Sequence, residues 1–112
     1  MHKVNLKPLS ANQAWQGRRF KSPAYKAFER DCLLMMPKGV EIPEGKLTVA
    51  IRFGFSNAAS DIDNPLKMLI DCLCKKYEFD DKRIYILGVQ KTIVKKGAEF
   101  FEFDIAGMPK DA

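Results

Sequence analysis

Histidine is almost missing from this chain: His2 stands alone among 112 residues. Cysteine is sparse as well, at Cys32, Cys72 and Cys74, with no C-x-x-C spacing. Without metal-ligand spacing, and with a single histidine, a structural zinc site is not expected. The odd cysteine count, with Cys72 and Cys74 too close for easy pairing, argues against a disulfide framework and suits a reducing compartment. The plain reading of the cysteines is small core residues. No stretch approaches the ~18 apolar residues of a membrane span, so no membrane partner is expected. Residues 1–13 lack the apolar run of a secretory signal, which makes the cytoplasm the expected location. Repeats, low-complexity segments and linkers are absent too, and 112 residues favour one domain over 1–112. Apolar residues make up 46%, enough for a real core.

What the chain does have is charge, unevenly placed. Its formal net charge is +5, yet residues 60–81 (SDIDNPLKMLIDCLCKKYEFDD) hold six acids against three bases, a net of −3, leaving +8 elsewhere. A basic body around an acidic spot is what a metal-dependent enzyme acting on a polyanion needs. Chance clustering on a solvated surface is the ordinary alternative.

The elements follow from periodicity. MHKVNLK can make a short strand with Val4 and Leu6 on one face. Residues 8–21 read as a loop, broken by Pro, Ser, Asn and Gly. Ser22 and Pro23 form a helix start, as N-cap and first helical residue. Tyr25, Phe28, Cys32 and Met35 then recur at helical spacing until Pro37 and Gly39. KLTVAIRFGF (46–55) alternates strictly, with Leu47, Val49, Ile51, Phe53 and Phe55 on one face, and is the clearest strand. Asn64 or Asp63 is expected to cap a second helix with Pro65 first. Leu66, Leu69, Ile70, Leu73 and Tyr77 form its apolar stripe, while Asp63, Lys67 and Asp71 lie four apart on another face. RIYILGVQK (83–91) is apolar on both sides at first, as a central strand would be. VKKGAE resembles a hairpin loop before EFFEFDI (99–105). The predicted class is α+β: a small mixed sheet with two helices, in the order β-α-β-α-β-β. Residues 46–91 should form a parallel crossover, and the last two strands should be antiparallel neighbours.

Asp61 and Asp63 sit in the turn between a strand end and a helix start, where open α/β sheets place ligands. Asp80–Asp81 precede the next parallel strand. A returning strand enters at the opposite end of the sheet, so the two sets meet only if the loop folds back or a second subunit supplies one of them. If they converge, carboxylates without histidine or thiol make a hard, oxygen-rich site suited to Mg²⁺, with Mn²⁺ as a substitute. Such ions activate water and stabilise phosphoryl charge. Lys67 would reach the same phosphate. An EF-hand fails here: counting from Asp61, Leu66 stands where Gly is needed and Cys72 where the bidentate Glu belongs. Taken alone, D-x-D-N-P is also what a loop and an N-cap look like, and Asp80–Asp81 what a turn looks like.

The combination is more specific. D-x-D-N-x-x-K-x-x-x-D, a helix, D-D and a strand closing on Lys resembles the RusA-type Holliday junction resolvases, through Asp61, Asp63, Asn64, Lys67, Asp71, Asp80, Asp81 and Lys91. The segment P-L-S-A-N-Q-A-W, the basic loop G-R-R-F-K and S-P-A-Y resemble the family's N-terminal part, so the likeness spans residues 6–105. It implies a RusA-like fold and a homodimeric, Mg²⁺-dependent endonuclease that cuts four-way DNA junctions in recombination and repair; the family occurs in phages and prophages. It implies Asp61, Asp63 and Asp81 as metal-binding catalytic acids, with Asp80 the neighbouring alternative. Lys67 becomes a catalytic or DNA-contacting lysine. The positive remainder would then hold DNA through phosphate contacts from Arg18, Arg19, Lys21, Lys67, Lys75, Lys76 and Lys91, with Lys95 and Lys96 nearby. Trp15 and Phe20 can stack on unpaired bases, although core packing suits Trp15 as well. A two-fold dimer matches the two-fold symmetry of a junction needing two nicks. The alternatives are a less selective metal-dependent nuclease or phosphodiesterase, and a DNA-binding module whose acids only cap and solubilise.

Overall fold

The strand read most clearly in the sequence sits at the middle of the sheet. In the computed structural model, which describes residues 1–16 and 20–109, the elements are β1 (His2–Val4), α1 (Ala11–Ala14), β2 (Trp15–Gln16), β3 (Phe20–Lys21), α2 (Pro23–Met35), β4 (Leu47–Phe55), α3 (Leu66–Tyr77), a 3₁₀ turn (Asp81–Arg83), β5 (Ile84–Ile93) and β6 (Phe100–Gly107). Leu47, Val49, Ile51, Phe53 and Phe55 are all buried, as alternation requires. Burial of each such side chain stabilises the fold by roughly 1.5–3 kcal/mol, which draws β4 to the centre. The main sheet runs β1-β6-β4-β5, with β4–β5 parallel and the other two pairs antiparallel. The fold is therefore a small mixed α+β arrangement.

The core lies between one sheet face and the helices. Val49, Ile51 and Phe53 of β4, Phe101 and Phe103 of β6, and Val4 of β1 cluster with Tyr25, Phe28 and Cys32 of α2 and Met68, Leu69, Cys72 and Leu73 of α3. Ser22 caps α2 by accepting from the Tyr25 N–H at 3.1 Å, with Pro23 in the first turn, as the sequence predicts. The cysteines are unpaired, and Cys32 and Cys72 are buried core residues. A hydrogen bond to Cys72, with burial second, raises the Cys32 pKa and keeps it a thiol. The opposite sheet face is polar: Arg52 and Glu102 pair at 2.8 Å, and Lys3 and Arg52 cover the Phe100 ring.

Several expectations need correction. β5 and β6 are not neighbours, because β4 separates them. The VKKGAE segment is thus no hairpin loop; it crosses the end of β4, where Val94 N–H donates to the Phe55 carbonyl at 2.8 Å. Nor is β5 central. It is an edge strand, with Tyr85, Ile86, Leu87 and Ile93 exposed. Residues 8–21 are not wholly loop, since α1 and the β2–β3 pair lie within them. Met36, not Met35, enters the core beside α2. Neither Asp63 nor Asn64 caps α3. The N-cap position falls to Pro65 without a side-chain bond, and the Asp63 carbonyl accepts the Leu66 N–H at 3.2 Å. Backbone turns through 61–65 replace the cap, so the Asp63 carboxylate is not spent on it.

Candidate active site

β4 ends at Phe55, and residues 56–65 carry the chain to α3. This loop is pinned from below. Lys91 stands beside Phe53 in the parallel register, so it rises on the helix-covered face. Its ammonium donates to the carbonyls of Ser60 at 2.8 Å and Ala58 at 3.2 Å. The Asn57 side chain accepts from Ala59 N–H at 2.9 Å. Asp61 and Asp63 therefore project, exposed, from a braced loop.

The first turn of α3 presents Lys67. Its ammonium donates to Asp71 at 2.9 Å, the i,i+4 partner, and to Asp81 at 3.2 Å. These bonds, Asp71 first, raise the Lys67 pKa above its ordinary value. Asp71 also accepts from the Tyr25 hydroxyl at 3.4 Å. Burial, then Asp71, raises the Tyr25 pKa, so that phenol stays protonated. Glu78, in left-handed backbone at φ 56°, ends α3 and turns the chain back. Asp80 then caps the 3₁₀ turn, accepting from Lys82 N–H at 3.0 Å, a bond that lowers its pKa. Of the neighbouring pair, Asp81 is the one that reaches Lys67. Burial, followed by Asp81, pushes the Cys74 thiol up to about 11.

Asp61 and Asp81 line different grooves. Asp61 borders a cleft of about 330 Å³ between the 7–13 segment and the end of β4. Asp81 borders a groove with Lys67, Ile70, Ile84, Tyr85 and Leu87 against the sheet edge. Among the described residues, no three His, Cys, Asp or Glu side chains form a ready metal-binding group, so Asp61, Asp63 and Asp81 are not gathered within one chain. The donors nonetheless fit Mg²⁺ in kind, being all carboxylate, and Asp71 and Asp81 already converge on one cationic group.

The other basic residues divide. Lys21 and Lys75 both pair with Glu29, at 2.8 and 2.7 Å. Lys76 donates to the Leu33 carbonyl at 2.6 Å. Lys95 and Lys96 are exposed on the β5–β6 connection. Arg18 and Arg19 lie outside the described residues, as do the side chains of Trp15 and Phe20. Sequence reasoning missed Glu29, Tyr25 as an Asp71 partner, and the cleft residues Gln13 and Glu99. Of these, Tyr25 alone had a signal: it recurs on the buried face of α2 with a hydroxyl that needs a partner. The sequence matches no family model and no curated protein. Among the described residues, no helix is long and apolar enough to cross a membrane.

Proposed function

We propose that this chain is a Mg²⁺-dependent, structure-specific endodeoxyribonuclease that resolves four-way DNA junctions by paired nicks, acting as a homodimer. The observation that carries this reading is the Lys67 ammonium held between Asp71 and Asp81, in the first turn of the helix that follows the braced Asp61–Asp63 loop. Those are the residues of the pattern that resembles the RusA-type resolvases. In this proposal Asp61 and Asp63 of one subunit hold the ion together with Asp81 of the partner subunit, since one chain does not gather them, with Mn²⁺ as a substitute. The ion, when bound, supplies Lewis-acid activation of water and neutralisation of phosphate charge.

The chain's own residues do the rest. Lys67 stays protonated at neutral pH and presents its charge to the phosphate that receives attack. Asp71, held by Tyr25, orients that ammonium. Lys91 fixes the loop bearing Asp61. Lys21 and Lys75 exchange Glu29 for DNA phosphates at the flank. Dimerisation is supported by the apolar edge strand β5, whose Tyr85 and Leu87 line the same groove as Lys67 and Asp81.

A second reading is favoured by the separate grooves of Asp61 and Asp81: a DNA-binding module in which the Lys67 network is only structural. One assay separates them. Purified protein is given labelled four-way junction or matched linear duplex, with Mg²⁺ or EDTA. Paired nicks in the junction alone, and only with metal, are expected. Cutting of every substrate selects a less selective nuclease, and binding without cutting selects the module. Asp61→Asn and Asp81→Asn are expected to abolish cleavage while junction binding persists, and Lys67→Met to slow it about a hundredfold. Parental turnover in Asp61→Asn removes the enzyme reading. Binding is expected to fall steeply with salt through counterion release.

A further inference from the structure

The cleft of about 330 Å³ beside Asp61 lies at the small end of ligand-pocket sizes. Phe55, Pro8 and Pro65 give it apolar walls, and Phe55 is held by stacking on Phe53 at 5.5 Å. Neutral hydrogen-bonding side chains, Gln13 and Asn57 among them, face the same space. Its charges are Lys7 against Asp61 and Glu99, so a phosphate entering would meet two carboxylates. A flat, neutral, polar-edged ring suits this lining better than an anion does.

We propose that this cleft is a base-reading pocket that takes one unstacked nucleobase bearing an exocyclic amino group, from the strand whose backbone passes Asp61. The proposal rests on the DNA-cutting reading for the identity of the polymer. Glu99 is the selecting group. Its Oε1 accepts from Gly97 N–H at 2.7 Å and its Oε2 from Ser56 Oγ at 2.9 Å. Each oxygen keeps a lone pair after that. Hydrogen bonds from its own backbone and from Ser56 lower its pKa, so it is ionised at neutral pH and accepts only. An amino group on adenine, cytosine or guanine donates to such an acceptor. Thymine has no amino group, and its one edge donor, N3–H, lies between two carbonyl oxygens that the carboxylate repels. Gln13 and Asn57 read the remaining ring edge, while the walls cover the ring faces. Strand opening at a junction centre supplies the unstacked base.

The test is an NMR titration of the ¹⁵N-labelled full chain with two short probes, oligothymidylate and the same oligomer with one central deoxyadenosine. The side-chain amide signals of Gln13 and Asn57 are expected to shift at about tenfold lower concentration of the adenine-containing probe. In Glu99→Gln that preference falls to about twofold or less. Gln13→Ala, at an exposed position, weakens the adenine-containing probe severalfold while the backbone spectrum is preserved. Equal titration by both probes in the parental protein, or amide signals that neither probe moves, overturns the pocket. The nuclease reading fails separately: absent junction cleavage with these shifts present sinks it and leaves the pocket standing.

Discussion

Glu29 holds two lysines from opposite directions, Lys21 at 2.8 Å and Lys75 at 2.7 Å. Hydrogen bonds from Lys21, then Lys75, lower its pKa below the ordinary 4.5. A carboxylate with a depressed folded pKa stabilises the protein above its unfolded value and loses that contribution as pH falls through the folded one. Glu29→Gln is therefore expected to lower the melting temperature by roughly 2–5 °C at pH 7. The gap should shrink as pH falls below 4.5 and through the depressed folded pKa, where the charge is lost; thermal melts across that range check this. A gap that does not shrink as pH falls would assign the loss to packing. At this scale the sequence is legible where partners are local. Lys67–Asp71 follows from i,i+4 spacing. Lys67–Asp81 depends on the turn at Glu78, and a left-handed glutamate has no sequence signal. Glu29–Lys75 joins α2 to α3, and no spacing encodes that contact.

β4 was readable because strict alternation leaves one answer for a strand with a single deeply buried face. β5 misled for a physical reason: apolar residues on both sides signal burial without saying what does the burying. The β5–β6 pairing was misplaced because adjacency in sequence competes with the pull of β4 into the centre, and the apolar strand won. The start of α3 was misjudged because backbone turns at Asp61–Asn64 and Asp63–Leu66 satisfied the N–H groups that a side-chain cap would have taken. The β4–β6 pair carries its own prediction. Gly54 lies opposite Phe100, and a Cβ built there would run into the buried Phe100 ring. Lys3 and Arg52 cover that ring, so it has little room to retreat. Gly54→Ala is expected to cost about 1–3 kcal/mol in urea unfolding. The double variant Gly54→Ala with Phe100→Leu should recover part of it, and full additivity of the two losses would show that the ring is not what the methyl meets.

For the molecule as a whole, the exposed apolar edge is the feature that a single copy leaves unsatisfied. Tyr85 is 61% exposed and Ile93 49%, and an open strand of this kind is a template on which another chain can pair. Sedimentation is expected to report a dimer of the parental protein at micromolar concentration, and a monomer for Leu87→Lys with an unchanged circular dichroism spectrum. A monomeric parental protein would remove the homodimer from the proposal and with it the pairing of nicks. The sheet also imposes an order in time. Among the described residues, β1 has β6 as its only strand partner, through His2–Phe103, Lys3–Glu102 and Val4–Phe101. On the ribosome, residues 2–4 cannot pair with β6 until residues 100–107 have emerged, so the strand of this sheet that is made first is among the last to find its place. Trimming either strand strands the other, and a nascent chain stalled short of residue 100 would display an open β4 flank to whatever chaperone or protease arrives first.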